Sequence, residues 1–184
     1  MSVATVELFY ALLAVVAQVS VVGVVVVRAL ARGSERARGW YAGVARAIAP
    51  NALAAAWVIA AFATAGSLYF SEVAHFEPCR LCWYQRIAMY PLVVILAIGA
   101  ARRDRSIVPY AIALAGIGAA IAAYHVGLEW LPALDTGACD ATVPCNIVWF
   151  RELGYISLPV LALTAFLSII TVLSVRPDDH RSPA

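Results

Sequence analysis

Residues 77–105 read EPCRLCWYQRIAMYPLVVILAIGAARRDR. Two cysteines, Cys79 and Cys82, open an apolar run that closes on Arg102, Arg103 and Arg105. From Trp83 to Ala101 that run crosses most of a bilayer's hydrocarbon core, about 30 Å, at roughly 1.5 Å per helical residue. It predicts a membrane-spanning helix with sulfur at one end and positive charge at the other. Working outward, four more stretches have the same character: Val6 to Val27, Asn51 to Phe70, Ile107 to Val126 and Tyr155 to Val175. The 184-residue chain is therefore expected to be an all-α integral membrane protein forming one compact membrane domain.

Composition points the same way. The chain is 64% hydrophobic and 13% charged with a mean hydropathy of +0.86, whereas soluble domains are about half apolar and a quarter charged. So little polar surface cannot clothe a soluble globule of this size, and lipid must cover the excess. The spans themselves are nearly free of charge, which argues against an ion or solute channel.

All thirteen cations are arginine, and ten of them fall on one side: Arg28, Arg32, Arg36, Arg38, Arg46, Arg102, Arg103, Arg105, Arg176 and Arg181. The positive-inside rule makes that side cytoplasmic. The N-terminus, the Ser71 to Cys82 loop and the His125 to Gly154 loop then face out, with all four cysteines and seven of the eleven acids. Ala29-Leu30-Ala31 resembles a signal-cleavage site, but the first span lacks a leading positive charge and is too long for one. Cleavage there would also strand the arginine cluster outside, so an uncleaved accessory helix is expected. Pro91 and Pro159 are expected to kink the third and fifth spans, and the tail from Pro177 is expected to be disordered.

The cysteines carry the chemistry. A C-x-x-C pair at a helix start sits at the positive end of the helix dipole, which favours thiolate. Arg86, one turn beyond Cys82, can stabilise an anion there. The second pair, Cys139 and Cys145, lies in a turn-rich loop that reads as exposed and exchangeable. An outward-facing pair is ordinarily a passive staple, and for Cys139 and Cys145 alone that reading stands. A C-x-x-C bridge gains little from loop closure, so redox exchange is the better reading for Cys79 and Cys82. A four-cysteine zinc site satisfies the ligand count, but there is no second C-x-x-C and the compartment is oxidising.

The stretch from Glu77 to Arg86 resembles the signature of the DsbB family of disulfide bond formation proteins. The five-residue spacing of the second pair, Tyr124-His125, and Ile156-Ser157-Leu158-Pro159 resemble its BdbC-type branch in particular. The resemblance implies a four-helix transmembrane redox domain over residues 51–175. It leaves 1–50 as an accessory N-terminal helix with an Arg-rich cytoplasmic loop, and 176–184 as a cytoplasmic tail. It also implies a thiol:quinone oxidoreductase of the cell membrane that reoxidises an extracytoplasmic thioredoxin-like dithiol oxidase. In that scheme Cys139 is attacked by the partner, Cys145 passes electrons to Cys79, and Cys82 is released as thiolate beside a quinone. Arg86 holds the negative charge that builds there.

Either ubiquinone or menaquinone fits this scheme, and the BdbC-like loop favours menaquinone. Gln85 and His125 are candidates to hydrogen-bond the quinone, or else plain interfacial residues. Trp83 is either a stacking partner or part of the interfacial aromatic belt. The expected partners are the dithiol oxidase, the quinone pool and the bilayer, and no nucleic acid. Vitamin K epoxide reductases use similar chemistry, but there the loop pair precedes the C-x-x-C, the reverse of the order here.

Overall fold

The computed structural model describes residues 2–135, 137–139 and 142–175. The expected disordered tail lies outside these described residues. Among the described residues six α-helices follow in order: α1 (Val3–Leu30), α2 (Glu35–Ile48), α3 (Ala52–Leu68), α4 (Arg80–Arg102), α5 (Val108–Trp130) and α6 (Leu158–Ser174). Val3–Leu30, Glu35–Val73, Arg80–Arg102 and Arg105–Trp130 are long and apolar enough to cross a membrane, and Leu158–Ser174 is apolar but shorter. Among the described residues the only strand-like pairing is a single bridge between Glu152 and Ile156. The chain is an all-α, multi-pass membrane bundle.

Packing explains why these spans assemble. Helices α3 and α5 bury alanines about one turn apart, Ala52, Ala56 and Ala60 on one and Ala111, Ala115, Ala119 and Ala122 on the other. Small residues let backbones approach closely in lipid, where dispersion rather than water expulsion drives association. Leu92 and Leu96 of α4 and Phe166 and Ile169 of α6 fill the space between, each fully buried. Gly118 belongs to this fit, because a Cβ there would overlap the Phe166 ring. Outside, Val16, Val19, Val22 and Val25 form an apolar stripe along α1, each more than half exposed. Hydrocarbon is the natural solvent for such a face.

Three expectations are corrected. The Arg-rich segment is not simply a loop, since α2 occupies Glu35–Ile48. Ser34 caps it by accepting from the Ala37 N–H, Glu35 pairs with Arg38, and Tyr41 and Ala45 bury against Val24, Val27 and Val175. Helix α5 runs one turn past Val126 because nothing breaks it before Pro132. Helix α6 starts at Leu158, so Pro159 occupies its first turn, where a missing N–H costs nothing, and does not kink its interior.

The chain ends each span where the site needs it. Helix α3 closes in a π-helical turn, Tyr69–Val73, and left-handed His75 (φ 58°) redirects the chain toward Cys79. At the opposite end, the Arg105 guanidinium donates to the Ala49 carbonyl at 2.9 Å.

Candidate functional site

Cys79 is the N-cap of α4, and the Cys82 N–H donates to its sulfur at 3.4 Å. The two sulfurs lie 2.9 Å apart as thiols. Cys79 is buried, and its thiol is pushed well below the usual range by the hydrogen bond from the Cys82 thiol and then by His125, against the opposing effect of burial. The sulfur at the helix cap is thus Cys79, with Cys82 one turn inside.

The second loop is built to lie on this pair. The Asp135 carboxylate accepts from the Gly137 and Ala138 N–H groups at 3.0 and 3.1 Å, and Gly137 takes the positive φ of 87° that the turn requires. The Tyr124 hydroxyl donates to the Leu134 carbonyl, and the Arg80 guanidinium donates to the Ala138 carbonyl across the two loops. Cys139 and Cys145 form a disulfide. Cys145 is only 2% exposed, which corrects the expectation of an exposed pair, while Cys139 is half-buried. Cys79, Leu81, Leu128 and Cys145 share one buried cluster, with Cys82 and Cys139 packed against it.

His125 binds the two halves together. Its Nε2–H donates to the Cys145 carbonyl at 3.0 Å and lies 3.7 Å from the Cys79 sulfur, while Nδ1 accepts from the Gln85 amide at 3.0 Å. This tautomer satisfies every partner, as a buried imidazole requires. Glu129, one turn on, faces the same small cavity and accepts from the Ser157 hydroxyl. That cavity, about 10 Å³, has room for roughly one water. Glu129 did not stand out in the sequence, although its spacing of four from His125 was the available signal.

A second and larger cavity of about 430 Å³ lies on the other side of Cys82. Cys82, Gln85 and Arg86 line its outer end, with Ser67 of α3. The Arg86 guanidinium donates to the Ser67 carbonyl at 3.0 Å and lies 5.2 Å from the centre of the Trp83 ring. Trp83 itself is half exposed and does not line the cavity. His125 faces the cysteine side only. At the mouth, Phe76 of the first loop stacks on Trp149 of the second (4.9 Å, 10°) and on Phe70 (5.8 Å, 3°). Cys82 is the one cysteine that lines both cavities.

Cys79, Cys82 and His125 also place three possible metal donors within 4.8 Å of one another. The four-cysteine set does not form in this state, because Cys139 and Cys145 are joined.

Residues 49–175 match the family model of the disulfide bond formation protein DsbB. The chain belongs to the DsbB family. A probable disulfide formation protein of Oceanobacillus iheyensis is 42% identical over 126 residues, covering 67% of this chain and 87% of the relative. Disulfide bond formation protein C of Bacillus subtilis and a probable disulfide formation protein C of Bacillus cereus are each 45% identical over 119 residues, covering 64% of this chain and 86% of each relative. No solved structure matches. The DsbB-family chain accordingly acts in disulfide bond formation, as a disulfide oxidoreductase. Helices α1 and α2 both precede the family match.

Proposed function

We propose that the protein oxidises an extracytoplasmic thioredoxin-like dithiol through Cys139 and Cys145, then through Cys79 and Cys82, and delivers the electrons to a membrane quinone. The observation that carries this reading is the position of Cys82, between a cavity it shares with Cys79, Cys145 and His125 and an apolar groove that opens beside Arg86. The groove suits such an acceptor, since its volume falls within the roughly 300–1,000 Å³ of small-molecule sites and its charged and amide groups, Glu77, Gln85 and Arg86, gather at one end.

In the first exchange, a partner thiolate attacks Cys139, breaking its bond to Cys145 and releasing the Cys145 thiolate. The partner's second thiol then displaces Cys139, leaving the partner oxidised and the loop pair reduced. In the second, the Cys145 thiolate attacks Cys79 of an oxidised Cys79–Cys82 bridge and releases the Cys82 thiolate toward Arg86. Cys139 then attacks Cys145, restoring the loop disulfide and freeing Cys79. Reclosing Cys79–Cys82 yields two electrons and two protons. Quinone, held by Arg86 and Gln85, supplies the chemistry that accepts both.

His125 can hold a proton at Nδ1 during the second exchange if the Gln85 amide rotates to present its oxygen. The arginine-bearing ends belong in the cytoplasm and the cysteine loops outside, and the BdbC-type loop favours menaquinone over ubiquinone. The test follows quinone reduction in membranes driven by a reduced thioredoxin-like partner. Cys79→Ala and Cys82→Ala should each abolish it, and normal turnover in both would remove the proposal.

A further inference from the structure

We infer that α1, which precedes the family match, forms the wall of a binding subsite for the isoprenoid tail of the quinone and so sets selectivity for tail length. This rests on the quinone-linked reading above.

Helix α1 is seated across the groove. The Tyr10 hydroxyl donates to the Phe62 carbonyl of α3 at 3.2 Å, and Gly66 makes room for the Tyr10 ring, since a Cβ there would lie 2.7 Å from it. On the other side Gln18 donates to Thr164 of α6 at 2.9 Å and accepts from the Tyr155 hydroxyl at 2.7 Å. Between these two ties, Leu13, Ala14 and Ala17 line the groove.

The inner part of the groove is apolar in effect. The Thr164 and Ser168 hydroxyls donate back to the Val160 and Thr164 carbonyls of their own helix at 2.8 and 2.7 Å, and the Tyr90 hydroxyl lies 3.3 Å from that of Ser67. A ligand there meets mainly alkyl and aromatic surface. The lining on α6 runs from Leu158 to Ser168, about 15 Å of helix at 1.5 Å per residue. A cavity that starts at a reactive cysteine and an arginine and continues as hydrocarbon down the span suits one molecule with a polar ring and a long apolar chain. A bilayer lipid's acyl chain would occupy the inner part without reaching Cys82.

The experiment uses the full chain in nanodiscs, with quinones sharing one ring but carrying either a long isoprenoid or a short alkyl tail. Ala17→Phe should raise KM for the long-tail quinone about tenfold more than for the short-tail one, equivalent to losing roughly two buried methylenes. Val19→Phe, on the exposed face, should leave both unchanged. A long-tail quinone with a photoreactive group at its tail end should label the α1 peptide around residues 10–17 of the unsubstituted protein. Equal KM changes for both tails, or labelling confined to other helices, would overturn the role of α1 while leaving quinone reduction intact. Failure of the unsubstituted protein to reduce either quinone would instead overturn the quinone-linked reading, and this inference with it.

Discussion

The two sides of Cys82 differ in kind. Toward Cys145 the protein is tightly cross-linked: His125 reaches both cysteine pairs and Gln85, and the space left amounts to about 10 Å³. Toward Arg86 it is open and apolar, with about 430 Å³. Sulfur exchange needs aligned partners and little volume, whereas a diffusing acceptor needs room and only a few orienting groups. The proposed relay would thus divide its chemistry between a jointed interior and an apolar groove, with one sulfur common to both.

The largest effect should come from separating the two sides. Cys139→Ala removes the sulfur that the proposed relay has the partner attack but leaves Cys79 and Cys82 in place. Turnover with a protein dithiol should fall to background, while quinone reduction driven by dithiothreitol persists. Loss of both would mean that the loop pair supports the groove side as well, and the division would fail.

Next comes Arg86, which belongs to the groove alone. Arg86→Met removes a charge-assisted donor, commonly worth about 1.5–3 kcal/mol, so KM for quinone should rise roughly 10- to 100-fold. The rate of exchange between the two cysteine pairs, followed by thiol trapping, should stay within a few fold.

How far the site was legible in the sequence follows from the same division. The helix carrying Cys79 to Arg86 could be read directly, because cap, span and charge lie in one continuous stretch. Trp83 was a poorer candidate, since adjacent helical residues point about 100° apart and Cys82, Gln85, Arg86 and Met89 already claim the groove face. The burial of Cys145 depends on the His125 bond from a helix 20 residues away, which no local pattern records. Helix α2 was hidden because its arginines raise polarity and mask an amphipathic repeat that has only Tyr41 and Ala45 as its buried face.

A smaller effect tests the cysteine side by pH. The native fold holds the Cys79 thiol below its ordinary range, so thiolate persists, and alkylation by a small reagent continues, at pH values under the usual thiol value of about 8.5. Stability of the reduced form follows the same sign: the contribution is complete above the ordinary thiol pKa and is lost as pH falls through the lowered one. His125→Ala removes one of the stabilising hydrogen bonds. The alkylation midpoint of Cys79 should move upward while that of Cys82 changes less. An unchanged Cys79 midpoint would leave the Cys82 contacts as the sole cause.

The smallest effect lies where the two sides meet. Phe76 stacks on Trp149 and on Phe70, joining the first loop to the second at the groove mouth. Aromatic pairs of this kind contribute about 0.5–1.5 kcal/mol beyond burial, so Phe76→Leu should leave the bundle folded and loosen only the loop. Backbone amides over residues 145–150 should then exchange several-fold faster while those of α4 and α5 are unchanged. Partner oxidation should slow more than quinone KM rises, because the lost contact governs how long Cys145 stays beside Cys79, while leucine keeps an apolar side chain at the place on the groove wall that Phe76 lines. A rise in quinone KM with partner oxidation unchanged would mean that Phe76 acts as a wall of the groove rather than as a link between the loops.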